Sequence, residues 1–156
     1  MRIQILVVGQ NKFDYLVDGE LHYIRRLSHY CQVNIFSVKG EKITKKRSSS
    51  DILKVESKRL LNRILERSFV VILDRGGVLL NSKEFTKKIV DWQNRSINEL
   101  IFVIGGPLGL GSEIKQRADF TLSLSKMTFT HDMTRLILLE QLYRGFSIHH
   151  GEKYHK

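Results

Sequence analysis

The chain of 156 residues has one cysteine, one proline and one tryptophan. The lone Cys31 excludes a disulfide framework and any site built from several thiolates, and it fits a reducing compartment. With Pro107 as the only proline there is no proline-rich linker, and no internal repeat is visible. One domain over residues 1–156 is therefore expected. No apolar run approaches the roughly 20 residues of a membrane-spanning helix. The opening MRIQILVVGQ lacks a small-residue cleavage site, so it is expected to be a first strand rather than a secretory signal. A cytoplasmic protein with no membrane partner is the expectation. Acidic residues are scarce as well: 16 against 26 basic ones, for a net charge of +10. That imbalance favours polyanionic partners, nucleic acid first, without separating an enzyme from a binding module.

What the sequence does contain is unevenly placed. Residues 39–67 hold ten basic and four acidic residues, including Lys45, Lys46 and Arg47 in a row before Ser48, Ser49 and Ser50. One reading is a phosphate-contacting loop and helix face. The other is a solvated loop leading into a salt-bridged surface helix.

Hydrophobic periodicity predicts alternating strands and helices. Strands are expected at 2–8, 33–38, 69–73, 100–104 and 120–124. Helices are expected at about 13–29, 51–67, 82–92, 112–118 and 131–148. Ser50 or Asp51 is the expected N-cap of the second helix. Asp74-Arg75-Gly76-Gly77 is expected to end the third strand. The runs FVVIL and LIFVI read as strands buried on both faces. The expected fold class is therefore α/β, a mainly parallel sheet with helices on both faces.

Two of these buried strands run into glycine, at Gly76-Gly77 and in IGGPLGLG at 104–111. Ligands of open parallel sheets bind beyond the carboxyl ends of strands, where glycine permits close backbone approach. Gly9 alone follows the first strand, so the dinucleotide fingerprint is absent, as is a P-loop. The last helix is apolar nearly all the way round, which predicts burial on more than one face and a homodimer. The histidines of the tail lack ligand spacing, so no metal is expected.

The glycine loop IGGPLGLG, the segment LSLSKMTFTHDMTRLILLEQLYRGFSI and the ending GEKYHK together resemble the RlmH family. These are small SPOUT-class methyltransferases of bacterial large-subunit ribosomal RNA, and the resemblance spans the whole chain. It implies a C-terminal deep trefoil knot, a homodimer, and S-adenosyl-L-methionine as methyl donor. It implies a cofactor site at Leu73, Gly105, Leu124, Ser125, Lys126, Met127, Thr128 and Phe129. The implied acceptor is N3 of a pseudouridine in 23S ribosomal RNA, on the assembled ribosome. On this footing Tyr154 and His155 are expected to reach the partner's site, with His155 taking the N3 proton. Arg135 or Arg144 is expected to steady negative charge on the base, and Lys45, Lys46 and Arg47 to hold RNA phosphate. Thr130 stands where many relatives have proline and is expected to loosen its loop; Gly111 is an added glycine, and Arg75-Gly76-Gly77 makes a more basic turn. A non-catalytic ribosome-binding protein and a methyltransferase of transfer RNA are the competing readings.

Overall fold

The computed structural model describes residues 1–154. Five strands, β1 (Arg2–Val8), β2 (Gln32–Val38), β3 (Phe69–Leu79), β4 (Glu99–Ile104) and β5 (Phe120–Ser123), alternate with five helices. The helices are α1 (Asp14–Leu27), α2 (Ser49–Leu61), α3 (Ser82–Asn94), α4 (Ser112–Arg117) and α5 (His131–His149). All strand pairs are parallel, in the order β2-β1-β4-β3-β5.

The period of two along each strand decides which helix a side chain meets. Ile3, Ile5 and Val7 of β1 and Leu100, Phe102 and Ile104 of β4 share one core with α1, α3 and α5. Their sequence neighbours Leu6, Val8, Ile101 and Val103 share the other with Leu60 of α2 and Ile114 of α4. Both faces are thus covered, which is why the central strands are apolar throughout. Cys31 lies just before β2 and is 8% exposed. Burial pushes its thiol up to about 11.

Several boundaries differ from the sequence expectation for identifiable reasons. Helix α2 is capped by Ser48, whose hydroxyl accepts the Asp51 N–H at 3.0 Å, and not by Ser50 or Asp51. It also ends at Leu61, before a turned segment that leads to β3. Strand β3 does not stop at Leu73. It bulges through Asp74–Gly77 and pairs again with β5, Val78 beside Leu122 and Leu79 beside Ser123. A Cβ at Gly77 would sit 2.7 Å from the Thr121 carbonyl oxygen, so this glycine lets the bulge press on β5 instead of ending the strand.

Much of the apolar circumference of α5 is used within the chain. The helix lies between α1 and α3, with Leu138, Leu139, Leu142, Tyr143 and Phe146 buried. Gly145 admits Ile89 of α3, and Gly19 of α1 admits Leu136. Burial of α5 on more than one face is thus met largely within one chain. What faces outward is a narrower strip along Met133, Ile137, Glu140, Arg144 and Ile148.

Candidate functional site

A cleft of about 830 Å³ opens at the carboxyl ends of β3, β4 and β5. Its floor is apolar, from Leu73, Ile104, Leu110 and Leu122, and its edges carry polar side chains such as Asp74, Lys115, Ser125 and Thr128. This volume and this mixture suit a small organic cofactor.

One wall is the glycine loop. Gly109 has φ of +83° and donates its N–H to the Gly106 carbonyl at 2.9 Å. A Cβ at Gly105 would overlap the Gly109 carbonyl. The absent side chain at Gly105 is therefore taken up by the loop's own fold, not by close approach of a ligand as expected. Gly111 packs the end of this loop on α2, where a Cβ would lie 3.0 Å from the Leu53 carbonyl oxygen.

The opposite wall is residues 124–130. Ser123 donates to the Ser125 carbonyl at 3.0 Å, and the Ser125 hydroxyl accepts the Met127 N–H at 2.9 Å. Thr130 does not loosen this wall. Its hydroxyl accepts the Met133 N–H at 3.2 Å and caps α5, which proline could not do. Of the residues expected here, Leu73, Gly105, Leu124, Ser125, Met127, Thr128 and Phe129 line the cleft, and Lys126 does not. Met127 is 73% exposed, so it stands at the mouth and is no core residue.

Sequence reasoning missed the charged rim. Asp74 accepts the Gly76 N–H at 2.8 Å and pairs with Lys115 of α4 at 2.7 Å. The Lys115 ammonium holds the Asp74 carboxyl below the usual aspartate range. Arg75 donates to the Thr128 hydroxyl at 3.2 Å, linking the β3 bulge to the opposite wall. At the head of α5, His131 Nε2 is 3.3 Å from the Asp132 carboxylate. These partners are distant in sequence or exposed on turns, and no periodicity marks them.

The remaining expected residues lie elsewhere. Arg135 is 3% exposed, binds Asp132 at 2.8 Å and reaches the Gly9 carbonyl at 3.4 Å. It is not among the lining residues of the cleft, and its Nε has no partner among the described residues. Arg144 is bound to Glu140 through its Nε at 3.0 Å, and this raises its pKa. Tyr154 packs edge-on against Tyr143, with 4.7 Å between centroids, well down α5 from the cleft. Burial raises its phenol above the usual tyrosine range. His155 lies outside the described residues. Lys45, Lys46 and Arg47 are exposed on the segment before α2. Arg47 is paired with Glu41, which also holds Arg59 at 2.5 Å. These two guanidiniums, Arg47 first, keep the Glu41 carboxyl below its usual range.

Among the described residues, no group of three or more His, Cys, Asp or Glu could hold a metal, and no helix is long and apolar enough to cross a membrane.

The chain belongs to the SPOUT methyltransferase family: the model of that family, described as "Predicted SPOUT methyltransferase", matches residues 1–155. A Clostridium kluyveri protein named "Ribosomal RNA large subunit methyltransferase H" is 45% identical over 159 residues, covering all of both chains. One of the same name from Desulfotalea psychrophila is 41% identical over 156 residues, again covering all of both. The fold is similar to the crystal structure of a probable methyltransferase from Bordetella pertussis. The TM-score is 0.55 at 12% identity, covering 92% of this chain and 95% of that one.

Proposed function

We propose that this chain is an S-adenosyl-L-methionine-dependent methyltransferase of large-subunit ribosomal RNA, methylating N3 of a pseudouridine in 23S RNA on the assembled 70S ribosome. The observation that carries the reading is the cleft at the strand ends, walled by the glycine loop and residues 124–130, in a chain alike from end to end to proteins named as ribosomal RNA large subunit methyltransferases. The ribosomal substrate puts the reaction in the cytoplasm.

The lining fits the cofactor: apolar Leu73, Leu122 and Leu124 suit an adenine, and Asp74, Ser125 and Thr128 offer acceptors to its hydroxyl and ammonium groups. The cofactor supplies a methyl group already activated by a sulfonium, so no metal is needed. The protein must then hold the base and accept the N3 proton as the N–C bond forms. His155 takes that proton, directly or through water, and Tyr154 helps to seat the base. Arg144, bound to Glu140 beside Tyr154, is the cation that the tail region brings to the base's carbonyl oxygens. Arg135 orients Asp132 and the Gly9 turn below the cleft.

Tyr154 rests against Tyr143, twelve residues along α5 from His131, which is about 18 Å at 1.5 Å per residue. The tail therefore serves the cleft of a second copy, and the homodimer forms through the outward strip of α5. Lys45, Lys46 and Arg47 hold phosphate. The same reading extends to the C-terminal trefoil knot, supported by β4 lying between β1 and β3 with β5 outside them.

The test is mass mapping of methylated nucleotides on ribosomes from cells with and without the protein, joined to transfer of labelled methyl groups in vitro. Methyl loss at one 23S pseudouridine is the expected result. Label entering transfer RNA, or no cofactor binding by calorimetry, would overturn it.

A further inference from the structure

The tail beyond α5 has a defined seat on its own chain. Gly151, with φ of +70°, reverses the chain after the helix, and the Glu152 N–H donates to the Ser147 carbonyl at 2.9 Å. The Tyr30 hydroxyl, in the turn after α1, donates to the Glu152 carboxylate. Tyr154 then lies over Tyr143, its hydroxyl 3.3 Å from Glu140 and 3.4 Å from the Tyr23 hydroxyl of α1.

Arg26, in the last turn of α1, closes this arrangement. Its guanidinium carbon is 4.4 Å from the centroid of Tyr143 and 5.3 Å from that of Tyr154, so one cation bridges two rings. Arg144 sits 4.8 Å from the centroid of Tyr154. A frayed terminus would make few such contacts. Here α1 supplies a cation from Arg26 and a hydroxyl from Tyr23, and the turn after it the Tyr30 phenol, to residues 152–154.

We infer that Arg26 is a positioning residue of the methyl-transfer reaction: it clamps Tyr154 on Tyr143 and so fixes the tail for the site the tail serves. This rests on the proposed role of Tyr154 and His155. Arg26 itself touches neither RNA nor cofactor in this role. The bridging geometry favours arginine, whose planar cation stacks on a ring face.

The test compares Arg26→Ala, Tyr154→Ala and the double variant as full-length proteins acting on ribosomes that lack the methyl group. Arg26→Gln, which keeps most of the side chain's stem, guards against a folding defect, and the thermal midpoint is measured for each. Arg26→Ala should lower kcat about tenfold, leaving the KM for ribosomes and the cofactor affinity within about twofold. The double variant should be no slower than Tyr154→Ala, since both changes break one arrangement. Losses that multiply, a raised KM, or a flatter salt dependence would make Arg26 an RNA contact and overturn the inference. Full activity in Arg26→Ala would overturn it while leaving the tail's role intact. Full activity in Tyr154→Ala would remove the tail's role itself, and the inference with it.

Discussion

The two ends of α5 are built from different materials. At its N-terminal end the cleft is made of backbone, small residues and aliphatic walls, with its charges on the rim. At the other end Tyr23, Tyr143, Tyr154, Arg26 and Arg144 make a cluster of rings and cations. The first end has the shape to hold a cofactor, with His131 and Asp132 at its edge. The second, on the proposed reading, offers its rings and cations to a nucleobase. On the proposed reading the difference teaches that one chain carries two half-sites, held apart by the length of α5.

Removing the second half-site should have the largest effect. His155→Ala should lower kcat by about 10² to 10³-fold, with cofactor affinity by calorimetry unchanged. Equal losses in both would make the ends one site and break the comparison. Gly105→Ala should act only at the first half-site. Its Cβ overlaps the Gly109 carbonyl, so the loop must move, at a cost of about 1–3 kcal/mol. Calorimetry should show cofactor affinity reduced by roughly tenfold or more on that scale.

Neutralising Lys45, Lys46 and Arg47 should leave both ends intact and weaken ribosome binding. Because Arg47 is shared with Glu41, the salt-dependence slope should flatten by about two, not three, contacts. A fall in cofactor affinity would tie this segment to the cleft.

The smallest effect is expected at the rim. The Asp74 carboxyl is held low in the folded state by Lys115, so the stability it contributes is present above the ordinary aspartate pKa. It is lost as pH falls through the lowered value. Asp74→Asn should remove that acid-side step from a plot of thermal midpoint against pH, lowering the neutral midpoint slightly and leaving the midpoint below the step nearly unchanged.

The strands were legible because each central one must satisfy two cores at once, as Leu6 and Val7 do on opposite faces of β1. Burial on both faces leaves a continuous apolar run that little else imitates. The continuation of β3 past Leu73 was not legible, since Gly77 serves as a close-approach residue and a turn would use the same letter. Ser48, Ser49 and Ser50 are chemically alike, and only the position of the Asp51 N–H selects the first as the cap. The cleft walls were legible through the glycine loop and the segment before α5. The rim and the tail seat were not, because Asp74 and Lys115, or Tyr30 and Glu152, meet only when distant parts of the chain have packed.

Cys31, buried before β2 with its thiol raised to about 11, has a practical consequence. At neutral pH it stays protonated and out of reach of alkylating reagents. A cysteine introduced at an exposed position is then the only thiol that takes up a spin label or fluorophore. Distances between identical labelled positions in two copies thus become measurable on a background that needs no native residue removed.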